Sequence, residues 1–192
     1  MDLPQISAHL SPTPHAYPTC CLALSSTLVT YLGTILPAHP GFTLSIGSGS
    51  GLLEALITLR HGTVTVEGVE VSVAVNRYID ELDMNVVQGT WDLLPRAARA
   101  AAWMFVYPRE PALVRRYLDG VEGGGGAVRM VVWLGPRADW GDYVGCFDEG
   151  LWVGEELGEE VGVAGYEVLV VLRRCEKGEG EGELDKLTGV FV

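Results

Sequence analysis

The sequence has little positive charge, no patterned cysteines and no long apolar run, and each of these absences argues against a class of function. Its 13 Lys and Arg face 25 Asp and Glu, for a net charge of −12, and such a chain repels phosphate backbones unless a local basic patch overrides the field. The only concentrations of basic charge are Arg115-Arg116 and Arg173-Arg174, which a solvated helix face or strand end explains, so no nucleic-acid partner is expected. Cys20, Cys21, Cys146 and Cys175 form no CxxC pair, and adjacent cysteines do not readily bridge each other, so reduced thiols in a cytoplasmic setting are the expectation. No stretch approaches the roughly 18 uninterrupted apolar residues of a membrane span. The N-terminus also lacks a basic start leading into an apolar stretch and a small-residue cleavage site, so neither secretion nor a membrane partner is expected.

With 192 residues, 48% of them hydrophobic, the chain has the length for one domain with a sizeable core. Its most informative stretch is Phe42-Thr-Leu-Ser-Ile-Gly-Ser-Gly-Ser-Gly51, an apolar strand running into three alternate glycines. Glycines at 47, 49 and 51 permit positive φ and strip Cβ atoms from one wall, so a nucleotide-like group can lie against bare amides at a helix N-terminus. The helix follows as Leu52-Leu-Glu-Ala-Leu-Ile-Thr-Leu-Arg60, closed by His61-Gly62. Thr63 to Val71 reads as a second buried strand, and it places Glu70 about 20 residues beyond the turn, where dinucleotide folds keep a ribose-binding carboxylate.

Elsewhere, Pro4, Pro12, Pro14 and Pro18 make residues 1–18 read as extended and irregular. Thr19 caps an expected helix over 20–36. An amphipathic helix is expected over 75–82 and a strand over 85–88, with an alanine-rich, helical approach from Ala97 to Ala102. A strand over 103–107, a helix over 111–118, a glycine turn at Gly120 and 123–126, and a strand over 128–134 follow. Later, 139–148 suits a short helix and 151–153 a brief strand. Tyr166 to Arg173 is a strand, and 187–192 a final edge strand. Five apolar strands separated by helices imply a mostly parallel sheet covered on both faces, with the ligand at the strands' C-terminal edge.

The spacing Gly47-x-Gly49-x-Gly51 differs from the G-x-G-x-x-G of dinucleotide sites and resembles the first motif of class I, Rossmann-like S-adenosylmethionine-dependent methyltransferases. Val66 to Ser72, with Glu70 at the acid, looks like that family's second motif. Gly89-Thr90-Trp91-Asp92 looks like the third. The resemblance spans roughly 40–135. It implies an α/β, three-layer αβα fold with a mostly parallel twisted sheet of about seven strands and an antiparallel C-terminal hairpin. It divides a single domain into an N-terminal arm and cap helix (1–37), a cofactor-binding core (40–135) and a C-terminal sheet edge (136–192). It also implies that S-adenosylmethionine is held by Ser45, Gly47, Ser48, Gly49, Gly51, Glu70, Val71, Gly89, Thr90 and Trp91, leaving S-adenosylhomocysteine as product. Ser45 departs from the family, which often has an acid there.

Methyl transfer is an in-line displacement in which alignment is the main task. The catalytic candidates at this edge are His15, Tyr17, Tyr107 and Arg109, with Glu110 beside them. Arg109 can hold a carboxylate or polarised oxygen by paired hydrogen bonds. Phe105-Val-Tyr-Pro-Arg-Glu110 lacks the Asp or Asn and the double proline of methyltransferases acting on bases or on glutamine, which argues against those acceptors. No metal is expected, because Arg109-Glu110 supplies no converging carboxylates. Trp103 and Trp133 read as packing residues, and Trp91 and Trp140 as candidate pocket walls. The expectation is a methyltransferase of small-molecule metabolism acting on a small, fairly apolar acceptor. A methyltransferase-fold cyclase or pericyclase, a non-catalytic partner subunit, a homodimer and a protein partner stay open.

Overall fold

A computed structural model describes residues 2–122 and 126–175. The chain opens with α1 (Leu3–His9), a hairpin of β1 (His15–Tyr17) and β2 (Cys20–Leu24), and α2 (Ser26–Ile35). Next come β3 (Thr43–Ile46), α3 (Leu52–Arg60), β4 (Val66–Glu70), β5 (Met84–Val86) and β6 (Ala102–Val106). The chain continues with α4 (Pro111–Glu122), β7 (Met130–Pro136), α5 (Trp140–Tyr143), β8 (Trp152–Leu157) and β9 (Glu167–Arg174). Among the described residues, seven strands form one sheet in the order β5-β4-β3-β6-β7-β9-β8. From β5 to β7 all neighbours are parallel, whereas β9 runs antiparallel to both β7 and β8. The expected mostly parallel αβα sheet with an antiparallel C-terminal hairpin is therefore present. The strand after β3 is laid to one side and β6 to the other, so a crevice opens outside the carboxyl ends of β3 and β6.

Period-two alternation builds both layers. Met104, Val132, Leu169 and Val171 point to a core shared with α1, α2 and α3. Leu44, Trp103, Phe105, Val131, Trp133, Val168 and Val170 point to the opposite core beneath α4 and α5. On β3 the first of these faces carries Thr43 and Ser45, both fully buried, a polar seam in the middle of an apolar sheet.

Several local expectations give way to tertiary contacts. Residues 3–9 are helical rather than irregular, because Asp2 accepts from Gln5 N and the Gln5 side chain accepts from Asp2 N in a capping box. The expected helix over 20–36 splits: Cys20–Leu24 pairs with His15–Tyr17, and α2 starts only after Ser25, whose Oγ accepts from Leu28 N at 3.0 Å. The expected helix over 75–82 is absent. Asn76 Oδ1 accepts from Tyr78 N and Ile79 N, and its amide donates to Ile79 O, forming a turn that competes with the helix. Ile79 is thereby set against Gly51 and Gly68, where any Cβ would overlap it. Pro95–Arg99 is a 3-10 turn, and Gly120 lies inside α4. The hairpin partner of β9 is Trp152–Leu157, longer than the brief strand expected there. The edge strand expected over 187–192 lies outside the described residues.

Candidate functional site

The turn after β3 is held from within. Gly47, Gly49 and Gly51 have φ of 75°, 59° and 74°, a left-handed region open mainly to glycine. Gly47 N and Ser48 N donate to Val69 O at 2.9 and 3.3 Å, and Gly51 N donates to Ser48 O at 3.0 Å. Gly49 N donates to Glu70 Oε1 at 2.7 Å. These amides are thus engaged inside the turn rather than bare, which corrects the sequence expectation. What the glycines leave is a wall without side chains: no atom lies within 4 Å of where a Cβ would stand on Gly47 or Gly49. The helix beyond also starts open, since Gly51 supplies no side chain to cap α3 and the first N–H groups of a helix have no intrahelical partner. A side-chain-free wall, an uncapped nine-residue helix and a carboxylate clamped beside them suit a nucleoside with a polar tail.

Glu70 ends β4 half-buried, and its Oε2 accepts from Val71 N at 3.3 Å. Val71 is 44% exposed. Val87 N donates to Glu70 O at 3.0 Å, so the end of β5, with Gly89, Thr90 and Trp91 just beyond it, lies along the same sheet edge as Glu70. Trp91 is 42% exposed. Trp140 is instead a core residue, 9% exposed with its ring centroid 5.2 Å from that of Trp133. Trp103 and Trp133 are buried in the core as expected.

Three buried carboxyls escaped the sequence reading: Glu67, which pairs with Arg96, and two others, Glu54 and Glu167. Glu54, in the first turn of α3, is 2% exposed and accepts from Ser45 Oγ at 2.6 Å. Burial pushes its carboxyl up to about 7, the Ser45 bond opposes this, and the charge of Glu70 adds to it. A glutamate inside Leu52-Leu53-Glu54-Ala55-Leu56-Ile57 was the signal, since every neighbour in that run is apolar and buried. Glu167 opens β9 fully buried. Its Oε1 accepts from Tyr107 Oη at 2.6 Å and Ala23 N at 3.1 Å, and its Oε2 accepts from Ala164 N at 3.3 Å.

This arrangement changes how Tyr107 can act. The residue follows β6 with φ of 50°, an uncommon conformation for an aromatic. Burial, then the bond to Glu167 and its charge, push the phenol above its ordinary range, so the hydroxyl serves as a donor that ties β6 to β9 and not as a base. Arg109 and Glu110 are exposed. His15 is exposed and Tyr17 half-buried on β1. The hairpin that carries them reaches the glycine turn, because Ser50 Oγ donates to Thr19 O at 2.7 Å. Cys20, Cys21, Cys146 and Cys175 are free thiols, and burial, with the charge of Glu54 next, pushes Cys20 up to about 12. No helix among the described residues is long and apolar enough to cross a membrane.

No protein-family model matches the sequence, and no curated protein matches it. Solved structures do share its fold. A TehB-like SAM-dependent methyltransferase from Corynebacterium glutamicum superposes with a TM-score of 0.58 at 12% identity, covering 78% of this chain and 88% of that one. A chain from the complex of the Haloferax volcanii Trm112 methyltransferase activator with a protein assigned as a methyltransferase gives 0.54 at 14% identity, covering 79% and 90%. A Streptococcus pneumoniae protein assigned as a tRNA methyltransferase gives 0.50 at 12% identity, covering 81% and 72%. The last of these corrects the expectation of no nucleic-acid partner, for the same fold is found in a protein assigned to tRNA. Net charge does not by itself exclude such a partner: it sums acids wherever they lie, including Glu176, Glu179, Glu181, Glu183 and Asp185 at the chain's end, whereas phosphate contacts are local.

Proposed function

We propose that this chain, which has the class I S-adenosylmethionine-dependent methyltransferase fold, binds S-adenosylmethionine at the turn after β3 and transfers its methyl group. The observation that carries the reading is Glu70 clamped onto Gly49 beside an open glycine wall, at the point where the strand order reverses. Glu70 would accept from the ribose hydroxyls. Gly47, Ser48, Gly49 and Gly51 would form the wall under the sugar and the methionine tail, with Ser45 at its root. Val71, Gly89, Thr90 and Trp91 would flank the adenine. The bound cofactor supplies an electrophilic methyl group on a sulfonium.

The rest of the task is alignment. Tyr107, fixed by Glu167, shapes the floor of the acceptor side. The β1–β2 hairpin, with His15 and Tyr17, would close over it, and the exposed Arg109 would take an acceptor oxygen. For the acceptor we favour a nucleic acid, because a protein assigned as a tRNA methyltransferase has the same fold. A small apolar acceptor is the second reading, favoured because Phe105-Val-Tyr-Pro-Arg-Glu110 lacks the Asp or Asn and the double proline of methyltransferases acting on bases.

Calorimetry with S-adenosylmethionine and S-adenosylhomocysteine tests the cofactor, and failure of both to bind at millimolar concentration sinks the proposal. Methyl-labelled cofactor incubated with total cellular RNA and, separately, with a small-molecule extract then separates the acceptors. Label confined to low-mass products overturns the nucleic-acid reading. Tight cofactor binding with no methylated product in either fraction points to a cyclase or a partner subunit on the same fold.

A further inference from the structure

Neighbouring parallel strands are joined by a crossover, usually an α-helix that covers the face of the sheet it passes. Between β4 and β5 that helix is missing, for residues 71–83 hold only the 3-10 turns Val73–Val75 and Glu81–Asp83. Ile79 is the one buried residue of this crossover, set onto Gly51 and Gly68. The outer layer is therefore thin here, and its aliphatic side chains face solvent. Leu82 is 94% exposed and Val73 61%, and Val75 and Val86 are exposed with them. The Val73–Val75 turn packs beside β5, Leu82 leads into that strand and Val86 ends it, so the four lie together at the margin of the sheet. Among the described residues β5 pairs with β4 alone. A single exposed aliphatic is ordinary, whereas several gathered at one margin mark an interaction surface. Charge selects what can cover it. Asp80, Glu81 and Asp83 border this shelf, none of them in an ion pair among the described residues, and Arg77 is the one cation in 71–86. Their crowding shows at Asp83, whose carboxyl is pushed up by burial and then by the charge of Asp80. A second copy of this chain would bring the same acids to a two-fold contact, whereas a cationic surface relieves them.

We propose that this shelf docks an amphipathic, cationic helix of a partner protein. Aliphatic side chains of that helix cover Val73, Val75, Leu82 and Val86, and Lys or Arg along its border meet Asp80, Glu81 and Asp83. The docked helix completes the layer that the crossover leaves thin. A helix fits better than an added strand, because the aliphatics come from the crossover as well as from β5, a width that a helix of about 10 Å diameter spans and that a strand paired to the edge leaves uncovered. The surface is separate from the glycine turn, so the inference does not depend on methyl transfer.

The test is fluorescence anisotropy on the full chain with two labelled peptides of about 15 residues, long enough to form a helix once docked. One carries Leu and Lys at helical spacing, and in the other Glu replaces every Lys. The Leu–Lys peptide should bind the wild type and gain helicity by circular dichroism, and the Leu–Glu peptide should not bind. Leu82→Asp should weaken the Leu–Lys peptide about tenfold or more, the burial of one leucine converted to affinity. At its exposure this substitution removes no native packing, and Val73→Asp serves as a second variant. Val153→Asp adds the same charge at an exposed position on β8, the opposite edge of the sheet, and should leave the affinity within about twofold. Equal affinities for Leu82→Asp and Val153→Asp, or a Leu–Lys peptide that does not bind the wild type, overturn the assignment. A wild-type dimer in sedimentation that Leu82→Asp dissociates also overturns it, in favour of a second copy of this chain.

Discussion

Replacing Glu54 by Gln should stabilise the fold above pH 7 and leave it nearly unchanged near pH 4. The folded-state pKa is raised, from the ordinary 4.5 to about 7, by burial first. Between those two values the folded protein keeps a proton that the unfolded chain releases. Stability therefore falls as pH rises through this window and is level above it. Multiplying the shift by about 1.4 kcal/mol per pKa unit gives roughly 3 kcal/mol lost by the wild type and spared in the variant. Glutamine keeps an oxygen to accept from Ser45 Oγ, so the comparison isolates the charge. Asp83 also has a raised pKa, from partial burial, and it titrates in both proteins, so it cancels in the difference. The assay is urea denaturation of wild type and Glu54→Gln at intervals from pH 4 to pH 8.5 without ligand, read as a difference in unfolding free energy. A difference that stays flat across that range refutes the argument, because it would mean that the carboxyl is solvated or already paired.

Other outcomes follow from the same contacts. Glu70→Ala should lower cofactor affinity by on the order of 1–3 kcal/mol through the lost bonds to the ribose, measured by calorimetry, and an unchanged affinity would mislocate the site. Tyr107→Phe removes one of the three donors to buried Glu167 and should cost about 1–3 kcal/mol of stability in urea denaturation, with the far-ultraviolet spectrum preserved. Gly51→Ala combines a φ of 74° with overlap on Ile79 Cγ1 and should destabilise by more than about 1 kcal/mol. A melting temperature equal to wild type would show that the 72–83 segment is not docked on the turn as described.

Where burial imposes a period, the sequence was readable. β3, β6, β7 and β9 are central strands whose apolar runs are buried on both faces, and α3 follows the glycines as its pattern requires. Edges and arms were harder. Cys20-Cys-Leu-Ala-Leu24 is apolar without a period, so helix and strand fit it equally; pairing with His15–Tyr17 chooses the strand. β8 carries Gly154, Glu155 and Glu156, exposed at the sheet margin, and only its pairing with β9 marks it as a strand. Residues 75–82 have a helical pattern that Ile79 abandons to pack on Gly51 and Gly68.

The division at the candidate site has a physical cause. Turn chemistry is local: three left-handed residues demand glycine, and an acid closing the next parallel strand arrives beside them, so Gly47, Gly49, Gly51 and Glu70 could be named from order along the chain. Charge compensation is not local. Ser45 reads as a position lacking an acid, and only the packing of α3 on β3 brings Glu54 to it at 2.6 Å. Tyr107 reads as a base candidate until β9 and the arm bring Glu167 onto its hydroxyl. Residue order thus set the turn and the strand succession, while the environment that fixes each proton and each charge came from segments far apart in the chain.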